Sequence, residues 1–199
     1  MYLLGASGHA KVVIDILELS NQHIDCLFDK DESITHIQDY NVLPEQKIKQ
    51  HYDLIISIGD NLTRKKVWEK FPYNKYGIGI HPRSIISKRV LVLPGSVVVG
   101  GAIINSDTVI GNHAIINTAS SVDHDCKIGD FVHIAPNSTL CGGVTIGEGT
   151  LIGANAVVIP GIKVGKWCVV GAGSVVVNDI PDYSLVVGNP ARVIRYLND

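Results

Sequence analysis

The sequence predicts a small α/β unit followed by a long coil of short β-strands, and three observations support this. The 199 residues are 46% hydrophobic but only 6% aromatic, so aliphatic side chains dominate the apolar content. Residues 1–79 contain 20 of the 36 acidic and basic residues, whereas residues 80–199 contain 15 of the 20 glycines. From residue 80 an aliphatic residue recurs every six positions. We therefore expect two domains, 1–79 and 80–199, joined without a linker.

Charge and composition argue against several classes of protein. The net charge of −2 does not suit a general nucleic-acid-binding protein, which needs a basic face. No apolar run approaches the ~20 residues of a membrane span, and the N-terminus lacks the basic stretch of a secretion signal. The four cysteines form no CxxC pair, so we expect buried thiols in a reducing, cytoplasmic compartment.

The first element is a strand, a glycine-containing loop and a helix. Residues 2–4 are predicted as the strand, residues 5–9 (Gly-Ala-Ser-Gly-His) as the loop and residues 10–18 as an amphipathic helix. This arrangement points free backbone N–H groups at an anion, although many such loops bind no ligand.

Two further predicted strands end in polar loops. Residues 24–28 are followed by Asp29-Lys30-Asp31, and residues 54–58 by Gly59-Asp60-Asn61 and a helix that contains Arg64. Ligands of open α/β sheets bind at the carboxyl ends of the strands. The three loops together therefore predict a site for a nucleotide or a nucleotide sugar.

The second half of the chain is repetitive. Stepping by six from Ile80 to Val176 meets seventeen aliphatic residues in succession. Four positions after each of them the residue is usually small. A period of six fits neither an α-helix nor a heptad repeat. It predicts stacked short strands with inward aliphatic side chains and tight corners formed by Gly and Asn.

This pattern resembles the hexapeptide-repeat acyltransferases. The resemblance implies a left-handed parallel β-helix with three hexads in each triangular turn, hence just under six turns, and a closing segment over residues 188–194. A Rossmann-like domain that opens with Gly-Ala-Ser-Gly-His-Ala-Lys-Val-Val and is fused directly to an uninterrupted coil is similar to the NeuD-type sugar acetyltransferases. These include sialic acid O-acetyltransferases and N-acetyltransferases of nucleotide-linked 4-amino sugars.

The resemblance also implies where the sugar nucleotide binds. In the nucleotide-sugar members the N-terminal domain holds the nucleotide part of the substrate. The positions implied here are Gly5, Ser7, Gly8, His9, Asp29, Lys30, Gly59, Asp60 and Arg64. The family often has a second glycine where this chain has Ser7.

Residues 117–133 combine two histidines and three acids in a coil that is otherwise poor in charge. Acetyl transfer from a thioester needs a base for the attacking amine or hydroxyl, and histidine titrates in the right range. We assign His124 as this base. The resemblance implies that Asn117, Asp125 and His133 complete the catalytic group, although His133 can also be read as an ordinary surface histidine.

An acid bonded to the second imidazole nitrogen would fix the tautomer of His124. Asp125 is the partner that the resemblance implies, and Asp123 and Asp107 are alternatives. Because adjacent side chains on a strand point apart, pairing with Asp125 requires a corner at this position. Gly142 lies one 18-residue turn above His124, and a backbone N–H there is the expected oxyanion donor.

The resemblance places acetyl-CoA along the coil, in the groove between subunits of a homotrimer. The expected contacts are Gly153, Gly171 and Ala172, with Lys163 and Lys166 near the phosphates, and no metal is required.

We therefore expect an acetyl-CoA-dependent N-acetyltransferase. Its predicted acceptor is a UDP-, GDP- or dTDP-linked 4-amino-4,6-dideoxy sugar of surface-polysaccharide biosynthesis. One alternative is O-acetylation of sialic acid or another sugar. A zinc enzyme resembling γ-type carbonic anhydrases would use histidines among His81, His113, His124 and His133. A non-catalytic binding protein is the third alternative.

Overall fold

The computed structural model describes residues 1–197. Its N-terminal part is a six-stranded sheet with strand order β3-β4-β2-β1-β5-β6. The elements are β1 (Tyr2–Leu4), α1 (Gly8–Leu19), β2 (Leu27–Asp29), β3 (His36–Ile37), β4 (Tyr40–Pro44), a 3-10 turn (Glu45–Lys47), β5 (Asp53–Ile56), α2 (Asn61–Lys70) and β6 (Lys75–Tyr76). The strands β2, β1 and β5 are adjacent and parallel, so their carboxyl ends meet at one edge, as predicted.

The sequence-based bounds differ from the structure at two strands and one hairpin. Strand β2 begins at Leu27 rather than at residue 24, although Ile24 is buried, and β5 ends at Ile56. The antiparallel β3–β4 hairpin was not predicted. Its first strand is only two residues long, which is too short for an alternating pattern to stand out.

Helix α1 joins the sheet to the coil. Its buried face includes Val13 and Ile16, which pack with Ile55 of β5. The same hydrophobic cluster contains Val97 and Val99, which point outward from the coil. The outer surface of the coil therefore packs into the core around α1, while the interior of the coil forms a separate hydrophobic cluster.

Seventeen two-residue strands, three to a turn, build the coil of just under six turns. Each strand pairs in parallel with the strand 18 residues further on, which gives three flat faces. The coil is the left-handed parallel β-helix that the family resemblance implied. The strands are β7 (Gly79–Ile80), β8 (Ile85–Ile86), β9 (Leu91–Val92), β10 (Val97–Val98), β11 (Ile103–Ile104), β12 (Val109–Ile110), β13 (Ile115–Ile116), β14 (Ser121–Val122), β15 (Lys127–Ile128), β16 (His133–Ile134), β17 (Thr139–Leu140), β18 (Thr145–Ile146), β19 (Leu151–Ile152), β20 (Val157–Val158), β21 (Lys163–Val164), β22 (Val169–Val170) and β23 (Val175–Val176).

The inward positions are filled as the repeat predicts. The second residue of each strand from β10 to β23 is buried, and the small residues at the corners, such as Ser120 and Cys126, have no exposed surface. Ile80 in the first turn is 37% exposed because no turn lies beneath it. The other end is covered by the hairpin of β24 (Ser184–Gly188) and β25 (Ala191–Tyr196), which buries Val186.

The prediction that Gly and Asn form the corners is only partly right. Left-handed φ angles also occur at larger residues, namely His113, Ala119, Asp125, Phe131 and Trp167. Many glycines that follow an inward aliphatic residue are needed for another reason. A Cβ at Gly129 would lie 2.7 Å from the Glu148 nitrogen one turn above, so these glycines allow the turns to stack closely.

The triangular coil has three edges, and we name each after one residue. The Asn117 edge contains residues 117–120 and their equivalents at 18-residue intervals. The His124 edge contains residues 123–126 and the His113 edge residues 111–114, each with their equivalents. In the part of the chain that the structure describes, neither helix is long and apolar enough to cross a membrane.

Candidate active site

His124 and Asp125 form a hydrogen-bonded pair at an edge of the coil. Strand β14 ends at Val122 and β15 begins at Lys127, so both residues lie in the corner that the pairing requires. Asp125 has a φ of 58°, and its Oδ2 lies 2.7 Å from His124 Nδ1. The carboxylate therefore accepts the Nδ1 proton, which leaves Nε2 of the neutral imidazole as a proton acceptor.

The electrostatic surroundings make His124 a stronger base. The hydrogen bond to Asp125 and the charge of Asp123 raise the pKa of His124 above its ordinary value. Asp123 does not bond to the imidazole ring. Its Oδ1 accepts the backbone N–H of His124 at 2.8 Å and the side-chain amide of Asn105 at 2.9 Å. No hydrogen bond within residues 1–197 joins Asp107 to His124.

Gly142 lies directly above the imidazole ring of His124. A Cβ at Gly142 would lie 2.7 Å from both Nε2 and Cε1, so only a glycine leaves room for the ring in this position. None of the hydrogen bonds formed by residues 1–197 uses the Gly142 N–H as a donor. A free backbone donor therefore lies next to the basic nitrogen, as an oxyanion site requires.

His133 and Asn117 form a second group. Asn117 Nδ2 lies 2.9 Å from His133 Nε2, while Asn117 Oδ1 accepts the Thr118 N–H at 2.7 Å. This network makes the amide the donor and the imidazole nitrogen the acceptor. Burial, together with the charges of Arg64 and His9, lowers the pKa of His133 to about 4, so the ring is neutral near pH 7.

The structure does not bring these two groups together within one chain. His124 and Asp125 lie on the His124 edge, whereas Asn117 lies on the Asn117 edge and His133 on the eight-stranded face beside it. A complete face of the coil separates the two edges. The predicted catalytic group is therefore two half-sites.

The glycine-containing loop is shaped by the sheet and open to solvent. Gly5 has a φ of 108°, and a Cβ there would lie 2.5 Å from Ile58, so Gly5 is required by the fold. Ser7 and Gly8 are exposed, and α1 has no acidic residue in its first turn and no side-chain cap at Ser7. His9 is half-buried, its Nε2 has no hydrogen-bond partner among residues 1–197, and burial lowers its pKa to about 4.

The loops that follow β2 and β5 are held in place by their own carboxylates at the edge of the sheet where these strands end. Asp29 Oδ2 accepts the Ala6 N–H at 2.6 Å, and its Oδ1 accepts the Asp31 N–H at 2.9 Å. Asp60 caps α2 through the Thr63 N–H at 2.8 Å, and hydrogen bonding from the side chain and backbone of Thr63 lowers the pKa of Asp60. Their carboxylates thus organise the loops, while the neighbouring Lys30 is exposed.

The prediction that Arg64 contacts the substrate conflicts with its position. The residue is only 1% exposed, and its guanidinium faces the coil rather than the open edge. It donates hydrogen bonds to carbonyl groups of the coil and of the loop before α2. The reason is that α2 packs on the His113 edge with this side inward.

A mostly apolar cavity of about 410 Å³ begins at His133. It continues past Leu151 and Val169, which lie outward on successive strands of the same face. The Asn117 edge, on the other side of this face and outside the lining of the cavity, carries the small residues Gly153 and Gly171 above Asn117, and Ala172 is exposed. A Cβ at Gly153 would lie 2.6 Å from the Ala172 nitrogen, so stacking also requires this glycine. Lys163 lies on the five-stranded face and Lys166 on the His113 edge, so neither belongs to the Asn117 edge.

The four histidines of the zinc hypothesis do not converge. His113 is buried and stacks on Phe131 at 5.2 Å, away from the His124 edge. Among residues 1–197, no three His, Cys, Asp or Glu side chains lie close enough together to hold a metal ion.

Comparison with known proteins gives close matches over the whole chain. The crystal structure of a histidine-to-asparagine variant of perosamine N-acetyltransferase from Caulobacter crescentus, in complex with CoA and GDP-perosamine, is 36% identical. The match covers 96% of this chain and 95% of that chain, with a TM-score of 0.90. Residues 1–71 match the PglD N-terminal domain, residues 107–142 match the bacterial transferase hexapeptide (six repeats), and residues 143–177 match the hexapeptide repeat of succinyl-transferase. The chain belongs to the NeuD-type sugar acetyltransferases.

Two further structures extend this NeuD-type likeness. The acetyltransferase domain of PglB from Neisseria gonorrhoeae, solved with acetyl coenzyme A, is 31% identical with a TM-score of 0.90. WeeI from Acinetobacter baumannii is 28% identical with a TM-score of 0.86. Each match covers 97% of this chain and 98% of the other. The chain is thus an acyltransferase of the hexapeptide-repeat family.

Sequence reasoning missed Asn105 and Asn61. Asn105 lies 18 residues before Asp123, and that spacing alone could have predicted their contact. Asn61 Nδ2 donates to the Gly149 carbonyl at 3.0 Å, and no spacing rule connects a helix to the coil in this way.

Proposed function

We propose that this protein transfers the acetyl group of acetyl-CoA to the amino group of a nucleotide-linked 4-amino-4,6-dideoxy sugar in surface-polysaccharide biosynthesis. The observation that carries the proposal is the His124–Asp125 pair with its free Nε2 beside the Gly142 amide. This pair supplies a base of raised pKa and a free donor at one point, the two groups that thioester aminolysis needs.

The reaction then proceeds in two balanced steps. The neutral amine attacks the thioester carbonyl, a C–N bond forms, and His124 Nε2 takes the proton that the nitrogen loses. The Gly142 N–H donates to the oxyanion of the tetrahedral intermediate. The C–S bond breaks as the intermediate collapses, and the CoA thiolate takes the proton from the imidazolium. Asp125 holds the imidazole in its tautomer throughout.

Three features support a nucleotide sugar as the acceptor. The strand ends of β1, β2 and β5 form one open edge, and the uncapped N-terminus of α1 suits a diphosphate. The exposed Ser7, Gly8 and Lys30 leave room for a ligand there. The related perosamine N-acetyltransferase was solved with GDP-perosamine, whose sugar belongs to the proposed class.

Acetyl-CoA fits the groove that rises from His133. The cavity is mostly apolar, and the Asn117 edge on the other side of the same face carries the small residues Gly153 and Gly171, so an extended pantetheine chain can lie close to the backbone there. Two solved relatives bind CoA or acetyl coenzyme A.

A homotrimer would join the two half-sites. His124 of one subunit would meet Asn117 and His133 of its neighbour, so each active site would lie between subunits. The outward aliphatic residues Ile85, Leu91 and Ile103 are 37–64% exposed, and they suit burial against a second copy. We place this assembly in the cytoplasm, where its four free thiols stay reduced.

A turnover assay tests the proposal. Purified protein is supplied with acetyl-CoA and, separately, with UDP-, GDP- and dTDP-linked 4-amino-4,6-dideoxy sugars and with sialic acid, and release of CoA thiol is followed. We expect turnover of at least one nucleotide amino sugar. Turnover of sialic acid alone would favour O-acetylation, and turnover of none would contradict the proposal.

A further inference from the structure

Arg64 is a buried cation that uses all of its hydrogen-bonding capacity on the protein. Its Nε donates to the His113 carbonyl at 2.8 Å, and its Nη2 donates to the Phe131 carbonyl at 2.9 Å and to Asn61 Oδ1 at 2.9 Å. Its Nη1 donates to two carbonyls of the loop between β5 and α2, at 2.9 and 3.0 Å. All five N–H donors of the guanidinium are therefore occupied.

These bonds connect two parts of the molecule with different roles. His113 and Phe131 are equivalent residues on successive turns of the His113 edge. The two loop carbonyls belong to Ile58 and Gly59, at the carboxyl end of β5 where the nucleotide is proposed to bind. One planar side chain thus sets where this loop lies relative to the coil.

The loop in turn lies next to two half-buried histidines, His9 and His133. A Cβ at Gly59 would lie 3.8 Å from the His9 Cβ, and Gly59 and His133 line the same cavity. His9 lies in the first turn of α1, directly after the glycine-containing loop, and His133 lies in the groove proposed for the acyl donor. The loop between β5 and α2 (residues 57–60), which we call the Gly59 loop, therefore lies between the two proposed substrates.

We propose that Arg64 is a positioning residue of the acceptor site. It fixes the Gly59 loop against the coil, so that the strand ends where the nucleotide is proposed to bind lie at a set distance from the acyl donor. This inference rests on the proposed function. Lysine cannot replace arginine here, because its single ammonium group cannot reach carbonyls in three directions.

The charge of Arg64 has a second effect on the same groups. Burial is the main cause, but the guanidinium also lowers the pKa values of His9 and His133 to about 4. Both imidazoles are therefore neutral near pH 7. The lone pair of His133 accepts the hydrogen bond of the Asn117 amide, and the Nε2 of His9 has no partner among residues 1–197.

Helix α2 has other attachments to the coil, so loss of Arg64 leaves it docked. Lys65 on the next position forms an ion pair with Glu148 at 2.7 Å, and Asn61 donates to Gly149. The Lys65 pair is half-exposed and does not touch the Gly59 loop. Lys65→Met is therefore a matched control, on the same helix and against the same edge of the coil.

The experiment compares Arg64→Met, Arg64→Lys and Lys65→Met with wild type. It measures KM for the nucleotide amino sugar, KM for acetyl-CoA, and the Kd of UDP, GDP and dTDP by calorimetry. For Arg64→Met we expect the acceptor KM and nucleotide Kd to rise about tenfold or more, with the acetyl-CoA KM within about twofold of wild type. Arg64→Lys should restore little of this loss, and Lys65→Met should match wild type.

Equal increases in both KM values, or a nucleotide Kd that does not change, would overturn the proposal. If Arg64→Met does not fold, Arg64→Lys and Asn61→Ala take its place. A nucleotide Kd that is unchanged in both of these variants would likewise overturn the proposal. A wild-type protein that binds a nucleotide but acetylates no amino sugar would refute the proposed function alone, because the Kd comparison still tests Arg64. Failure of wild type to bind any of the three nucleotides would overturn the role of Arg64.

Discussion

Replacement of His113 by phenylalanine should make the protein more resistant to acid. His113 is 2% exposed, packs edge-on to Tyr76 at 4.5 Å and stacks on Phe131, and its Nδ1 has no hydrogen-bond partner within residues 1–197. Burial, with a smaller effect of the Arg64 charge, lowers its pKa from 6.5 to about 4. The folded protein therefore binds fewer protons than the unfolded chain between these two values. The contribution of the neutral, buried His113 to the free energy of unfolding is complete above pH 6.5 and is lost as the pH falls towards 4.

The size of the effect follows from the two pKa values. For a shift from 6.5 to about 4, one such histidine lowers the free energy of unfolding by about 2 kcal/mol between pH 7 and pH 5. His9 and His133 act in the same direction. His113→Phe should reduce the total loss by about 2 kcal/mol, because phenylalanine does not titrate. The substitution suits the site, since Phe131 holds the equivalent corner one turn on with a φ of 58°.

Urea unfolding at pH 5, 6 and 7 and a fixed protein concentration measures this effect. The exposed His36 provides the control, and His36→Gln should have the same pH dependence as wild type. If His113→Phe loses as much stability as wild type between pH 7 and pH 5, the neutral, buried state assigned to His113 is wrong.

Two further predictions concern the His124 edge. Asp125→Asn removes the main cause of the raised pKa of His124, so the acidic limb of the pH–rate profile should move to lower pH and kcat should fall by about 10² or more. If the acidic limb stays at the wild-type pH, the role assigned to the hydrogen bond between His124 and Asp125 is contradicted. Gly142→Ala places a Cβ 2.7 Å from Nε2, so the ring must move and kcat should fall by about 10² while Tm stays close to wild type. Wild-type kcat in this variant would show that the ring position is unimportant.

The coil could be predicted almost completely from the sequence because its repeat is local and strict. Each hexad places one aliphatic residue inward, and these positions are buried from β10 onward. The same arithmetic predicted that Gly142 stacks above His124, since the two are one 18-residue turn apart. The contact between His124 and Asp125 was implied by the family resemblance, and it required the corner that lies between β14 and β15.

The parts that could not be predicted depend on contacts between distant segments. The contact of Arg64 with His113 spans 49 residues and that with Phe131 spans 67. Nothing in the sequence of α2 tells which of its charged residues points toward the coil. The separation of Asn117 from His124 was available in principle, because seven residues exceed one hexad and place the two on different edges.

The most direct test of the central claim is kcat for His124→Ala with the best acceptor from the turnover assay. We predict a fall of about 10² to 10⁴ in kcat, with the affinities for acetyl-CoA and nucleotide and the oligomeric state unchanged. A kcat that stays within about threefold of wild type across the pH profile would contradict the assignment of His124 as the general base.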